Sequence, residues 1–289
     1  MKIAVSGAGG FLGWNICRVA IEQDHDIIGI IRNNSMQLDT CVTEQCDLTD
    51  HDAVEKLIER IRPDSFIHCA AASDPNFCQQ NQPLAEKINV QSPTYLAQLC
   101  ARKSIAFSFT STDLVFDGTS APYDERANVN PLSVYGKQKA AAEQAILKEN
   151  SSALICRMPL MYGAVPQGVK RFLQQWIDQL QSGKALSLFT DEFRTPVSAA
   201  DAALGLLMFT GSVHGILHLG GKERISRYDF GLIAAEMLGV SPSLISGCKQ
   251  SDIKMAAPRP ADVSLNSNKA YLLGFSPGSI RSELQKVLL

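Results

Sequence analysis

Gly7, Gly10 and Gly13 stand at the turn between an apolar run, residues 3–5, and a helix-compatible stretch, and no other feature of the 289-residue chain restricts its fold as strongly. Glycines at that spacing let a strand reverse tightly into a helix and leave the helix N-terminus free of side chains. Bare amides and the positive end of the helix dipole suit a dinucleotide pyrophosphate. The pattern is Gly-x-x-Gly-x-x-Gly, and a purely structural Gly-rich turn is the alternative. Its position behind the first strand and at the start of the first helix argues against that alternative.

The same alternation recurs. Apolar runs at residues 27–31, 65–70, 105–109 and 153–156 are separated by longer helix-compatible stretches, the signature of βα units around a parallel sheet buried on both faces. Val54, Leu57, Ile58 and Ile61 repeat at i, i+3, i+4 and i+7, with Asp50 or Thr49 as cap and Pro63 as stop. Ser133 caps a helix that runs towards Lys148 and ends at Asn150-Ser151-Ser152. After Arg157-Met158-Pro159 the alternation weakens, and a helix from about Gly168 to Gln181 ends at Ser182-Gly183. Residues 195–210 and 216–219 read as a helix and strand that return to the sheet, and residues 227–238 with the C-terminal stretch complete a second lobe. The expectation is an α/β protein. A doubly wound parallel (Rossmann) sheet is formed by residues 1–157 with 195–219, and a smaller C-terminal substrate-binding lobe by 158–194 with 220–289.

A formal net charge of -2 leaves no basic surplus to neutralise a nucleic-acid backbone. No stretch has the length and apolarity of a membrane span, and the N-terminus lacks the features of a secretory signal. The eight cysteines include no Cys-x-x-Cys pair, so neither a zinc knuckle nor a dithiol motif is present. These readings predict a cytoplasmic chain with reduced thiols and no nucleic-acid or membrane partner.

The chemistry concentrates in two places. At the end of the second strand, Ile30-Ile31 is followed by Arg32-Asn33-Asn34 instead of the acidic residue that selects a ribose 2′-hydroxyl. Arginine suits a 2′-phosphate, so the cofactor expected is NADP(H), with NAD(H) as the alternative if Arg32 is only a solvated strand end. Further on, Tyr135 and Lys139 stand at i and i+4 of a helix, where an ammonium beside a phenol favours the phenolate and lowers its pKa from about 10. Strand residues 105–110 lead into Ser111-Thr112-Asp113, which brings hydroxyls to the carboxyl edge of the sheet, where a ligand crevice opens and a reacting carbonyl can be held.

With these stations on view, the chain resembles the extended short-chain dehydrogenase/reductase superfamily over most of its length. The resemblance rests on Gly7-x-x-Gly10-x-x-Gly13, Asp47-Leu48, Ala70-Ala71, Asn89, the run from Ser111 to Gly118, Pro131 to Lys137, and Arg157-x-Pro159-x-x-Tyr162-Gly163. Within it, Ser-Thr-Asp-x-Val-Phe-Asp-Gly, Arg194-Thr195-Pro196-Val197 and Arg259-Pro260-Ala261-Asp262 are most similar to the dTDP-4-dehydrorhamnose reductases.

The resemblance implies that Thr112 holds the substrate carbonyl, with Ser111 as its rival, that Tyr135 donates the proton, and that Lys139 tunes Tyr135 and binds the nicotinamide ribose. It places Phe11, Leu12, Ala70, Ala71 and Pro159 beside the cofactor, Asp47 and Leu48 beside the adenine, and Asn89 in support. Local alternatives remain: a turn residue for Asp47, close packing for the alanines, a buried polar group for Asn89. Ser111, Val115 and Phe116 are further substrate candidates. Arg194 and Arg259 are the preferred cations for a nucleotide diphosphate among Lys170, Arg171, Lys184 and themselves, an ordinary structural salt bridge being the alternative.

Some relatives carry a metal-binding glutamate after the glycine-tryptophan of the first turn; here Asn15 follows Gly13-Trp14. No metal is expected, a homodimer would not be metal-linked, and Asp191-Glu192 reads as a solvated acidic pair.

The expected function is NADPH-dependent reduction of a 4-keto nucleotide sugar. Two alternatives stand beside it: a nucleotide-sugar epimerase or dehydratase that retains NAD, and a non-catalytic regulatory subunit similar to the β subunit of methionine adenosyltransferase.

Overall fold

The computed structural model describes residues 1–32, 41–166, 169 and 171–288; Asn33, Asn34, Gly168 and Lys170 lie outside them. Seven strands form one sheet: β1 Lys2–Ser6, β2 Asp26–Ile31, β3 Val42–Gln45, β4 Ser65–His68, β5 Ala106–Thr112, β6 Leu154–Met158 and β7 Gly215–His218. Their order is β7-β6-β5-β4-β1-β2-β3, every pair parallel. The chain winds outwards from β1 in one direction and from β4 in the other, and the crevice at that reversal is where such sheets bind ligands.

Helices cover both faces, which is why the inner strands are apolar on both sides. On one face, Phe11–Glu22 and Ala199–Phe209 pack against Val5, Ile67, Cys156 and Leu217. On the other, His51–Ile61, Ser92–Arg102 and Val134–Glu149 cover Ala4, Phe66, Phe107 and Ile155. Asp50 caps the first of these by accepting from the Ala53 N–H at 3.1 Å, and Val54, Leu57, Ile58 and Ile61 are its buried stripe. Each such side chain contributes about 1.5–3 kcal/mol when fully buried. Arg62 then leaves the helix at φ 44°, ahead of Pro63. The sequence pattern missed β3: Val-Thr-Glu-Gln is a largely exposed edge strand with no apolar run to mark it.

Residues 195–210 begin with a short strand, Val197–Ser198, and only then enter the helix Ala199–Phe209, which Ser198 caps through the Asp201 N–H. β7 follows and closes the sheet beside β6. A third apolar cluster gathers Tyr162, Leu173, Trp176, Leu188, Phe230 and Ile245. It is built by the helices Phe172–Gln181, Arg227–Met237 and Ile280–Leu288 with a parallel pair, Leu186–Phe189 and Ile245–Cys248. Among the described residues no helix is long and apolar enough to cross a membrane.

Candidate active site

A cleft of about 1110 Å³ runs along the carboxyl ends of the sheet strands and is closed on its far side by Arg171, Phe172, Glu192, Arg194 and Arg259. Gly7, Gly10, Phe11, Leu12 and Gly13 form one end. Gly7 has φ +69°, and a Cβ there would stand 2.8 Å from the Ala70 nitrogen. A Cβ on Gly13 would stand 2.2 Å from the Gly7 oxygen, so the turn closes only without side chains. No side chain caps the helix Phe11–Glu22 at Gly10, which leaves its first amides to an anion from the cleft. The cradle fits a pyrophosphate.

Arg32, Asp47, Leu48, Ala70, Ala71 and Pro159 all border the same cleft. Asp47 is also the turn residue of its loop, accepting from the Thr49 N–H and hydroxyl, both at 2.9 Å. Asn89, read as a supporting residue of the cofactor-binding set, does not border the cleft. Its side chain is buried behind the wall, where Oδ1 accepts from the Ala72 N–H at 2.9 Å and Nδ2 donates to the Ala72 oxygen and to Gln138. Asn89 holds the backbone beyond Ala71 and does not face the cleft.

Thr112, Tyr135 and Lys139 converge on the cleft from two elements, the end of β5 and the first turns of Val134–Glu149. Ser133 caps that helix through the Gly136 N–H at 3.1 Å. Gly136 is required there, since a Cβ would stand 2.2 Å from the Leu114 oxygen. This contact seats Tyr135 against the loop that follows Thr112. The Thr112 hydroxyl accepts from the Leu114 N–H and donates to Asp113, each at 3.2 Å. Ser111 also borders the cleft, but its hydroxyl donates to Glu143 at 2.5 Å. Val115 and Phe116, expected to meet substrate, are core residues: Phe116 stacks on Tyr123 at 4.1 Å, and neither borders the cleft.

The electrostatics of the tyrosine–lysine pair differ from expectation. Burial pushes the Tyr135 phenol up, with the Cys78 thiol and the Asp113 carboxyl adding to it. Burial likewise pushes the Lys139 amine down to about 7, with Glu143 as the main opposing influence. An ammonium lowers a neighbouring phenol only while it keeps its own charge, and here desolvation acts against the charged form of both groups. The Lys139 nitrogen rests 3.8 Å from the Phe109 ring centroid.

Asp113, which the sequence reading left without a role, is a buried carboxyl on the cleft wall. Burial raises it to about 6, against Arg194, and Glu192 pushes the same way as burial. Arg194 places Nε 3.3 Å from Asp113 and Nη2 3.5 Å from Glu192, so it is both a cleft residue and a salt-bridge partner. The Arg259 Nε is buried without a hydrogen-bond partner. Arg227 lies behind them, its guanidinium carbon 4.3 Å from the Phe172 ring and 4.6 Å from Trp176, and burial lowers it to about 10. Asp191-Glu192 is not the solvated pair its sequence suggested: Glu192 is buried against Arg194 and Asp191 accepts from the Gln250 N–H. Lys184 is exposed and away from the cleft, whereas Arg171 stands over the Phe11 ring at its mouth. Asn15 is buried and ties its helix to the Ala164 oxygen at 3.0 Å.

Known proteins resemble the chain in sequence and in fold. A 33% identical relative, the probable low-salt glycan biosynthesis reductase Agl14 of Haloferax volcanii, aligns over 98% of this chain and 96% of its own. The methionine adenosyltransferase 2 subunit beta of Xenopus laevis is 30% identical, over 94% of this chain and 82% of its own. Among solved structures, a dTDP-4-dehydrorhamnose reductase from Clostridium acetobutylicum superposes with a TM-score of 0.87 at 26% identity, over 100% of this chain and 98% of that one. The family model described as the RmlD substrate binding domain matches residues 1–289, and the chain belongs to that family.

Proposed function

We propose that the chain is an NADPH-dependent reductase of a 4-keto nucleotide sugar. The observation that carries the reading is the convergence of Thr112, Tyr135 and Lys139 with the glycine turn on one cleft. When bound, a reduced nicotinamide supplies a hydride; the chain supplies the rest. Gly7, Gly10 and Gly13 with the amides of the first helical turn hold the pyrophosphate, and Arg32 receives the 2′-phosphate. The Thr112 hydroxyl orients the keto oxygen, Tyr135 gives that oxygen its proton, and Lys139 binds the ribose and favours the phenolate left behind. Arg194 and Arg259 meet the nucleotide diphosphate, and the unpartnered Arg259 Nε is a donor ready for it. Solved structures of the same fold in complex with NADP and with NAD accord with a nicotinamide dinucleotide here.

The test is NADPH oxidation by the purified chain with a panel of nucleotide-linked 4-keto sugars. Turnover that falls by about 10²–10⁴-fold in Tyr135→Phe supports the reading. Turnover that leaves NADPH unconsumed points instead to an epimerase or dehydratase.

A second reading has its own support. The Xenopus relative is a subunit of another enzyme, and the Tyr135 phenol is raised here, not lowered. Stoichiometric NADPH binding without turnover across the panel would favour a regulatory subunit.

A further inference from the structure

Glu143 lies one helical turn beyond Lys139 on the helix Val134–Glu149, with its side chain buried against β5 and β6. From the end of β5 it accepts the Ser111 hydroxyl. From β6 it accepts Arg157 Nη2 at 2.7 Å and Nε at 3.1 Å. Arg157 Nη1 in turn reaches the His218 Nε2 of β7 at 3.4 Å. A buried carboxylate is costly unless it is paired and hydrogen-bonded, and this one is fully engaged. Nothing in the cofactor or substrate roles above uses it.

Two of its neighbours, Ser111 and Lys139, reach the cleft. Ser111 immediately precedes Thr112, and Lys139 shares its helix face at i, i+4. The other groups that face Lys139 are the Phe109 ring of β5, His68 of β4, Cys69 just after it, and Cys78 of the helix Pro75–Gln80. Burial holds His68 neutral, at about 3, and raises both thiols, Cys69 to about 12, so these three carry no charge near neutral pH. Asp113 faces Tyr135. Glu143 is therefore the one full negative charge acting on Lys139 among the described residues.

We infer that Glu143 is a positioning residue, the buried counter-charge of Lys139, which also locks the helix carrying Tyr135 to the carboxyl ends of β5 and β6 through Ser111 and Arg157. The inference rests on the reading that Lys139 binds the nicotinamide ribose, and it separates from the question of turnover because cofactor affinity alone reports it. Without the carboxylate, the ammonium loses its stabilising partner and gives up its proton at lower pH.

The experiment measures the NADPH dissociation constant against pH by fluorescence in wild type, Glu143→Gln, Glu143→Asp, and Glu143→Gln combined with Arg157→Gln. The double variant removes both buried charges, so it stays testable where the single one leaves Arg157 unpaired and unfolds. Wild-type affinity is expected to fall as pH rises past about 7, as Lys139 loses its charge. Both Gln variants should show that fall displaced downwards by about one pH unit or more, and Glu143→Asp should restore part of the displacement. A melting temperature that drops while the pH limb stays in its wild-type place would overturn the inference and leave Glu143 a structural residue. Absence of the limb in wild type would overturn it as well. If the limb moves as described but no keto sugar is reduced, the reductase reading fails and the positioning role stands.

Discussion

Replacing Gly13 by alanine tests the phosphate cradle with the smallest possible change. The new Cβ would stand 2.2 Å from the Gly7 oxygen, 2.7 Å from its carbonyl carbon and 2.9 Å from the Ala8 Cα, all of them backbone atoms that cannot rotate away. A carbon–oxygen contact settles at about 3.3 Å, so the turn and the helix Phe11–Glu22 must part by about 1 Å. Overpacking of that kind costs about 1–3 kcal/mol, partly offset by about 1 kcal/mol of better helix propensity for alanine. The fold should survive.

Binding should not survive unchanged, because on the proposed function the displaced atoms meet the pyrophosphate, and a misplacement of about 1 Å costs on the order of 100-fold. Gly10→Ala is the internal control: its Cβ would meet the Gly7 oxygen at 3.1 Å, a tight contact that a shift of a few tenths of an ångström relieves, so the loss should be several-fold smaller. Calorimetric titration with NADPH, with circular dichroism to verify folding, reads both. A folded Gly13→Ala that binds NADPH within about threefold of wild type would refute the cradle argument.

Other consequences follow from the same geometry. Arg32→Glu should reverse the cofactor preference from NADPH towards NADH, and equal affinities in wild type would sink the assignment of Arg32 to a 2′-phosphate. Arg259→Ala should weaken binding of a nucleoside diphosphate far more than binding of NADPH; equal effects would make Arg259 a scaffold residue. Asp113 is raised to about 6 in the fold from an ordinary 3.8, so it favours folding when protonated and that contribution is lost as pH rises from about 4 through 6. Asp113→Asn should accordingly raise the melting temperature at about pH 8 and give little gain at about pH 4; a uniform loss at both would show that the Arg194 contact outweighs burial.

Much of this could be read from the residues alone because the inner strands are buried on both faces and announce themselves as apolar runs, while Gly7 and Gly13 answer to a steric demand that only glycine meets. Ser133 as the cap of the Tyr135 helix was legible for a similar reason, since the hydroxyl and the helix start are neighbours in sequence. β3 was not legible, because an exposed edge strand needs no apolar alternation.

The errors at the site share one cause. Val115 and Phe116 follow Thr112 by only three and four residues, yet the chain turns inwards after Thr112 and packs them with Tyr123. Glu192 looked solvated because its partner Arg194 and the Asp113 they share come together only in the fold. For Tyr135 and Lys139 sequence spacing gives proximity and says nothing of the desolvation that raises one group and lowers the other. The signal for Asp113 was present in the Ser111-Thr112-Asp113 run; its burial was not.

The central claim is that one cleft brings a nicotinamide hydride and the Tyr135 proton to the same carbonyl. NADPH deuterated on the transferable position of C4, incubated with the chain and a nucleotide-linked 4-keto sugar, tests it most directly by mass spectrometry of the sugar. The account predicts one deuterium at the former keto carbon, matched by NADPH consumed, with both signals nearly lost in Tyr135→Phe. Undiminished transfer in Tyr135→Phe, or bound NADPH that delivers no deuterium to any sugar offered, would contradict it.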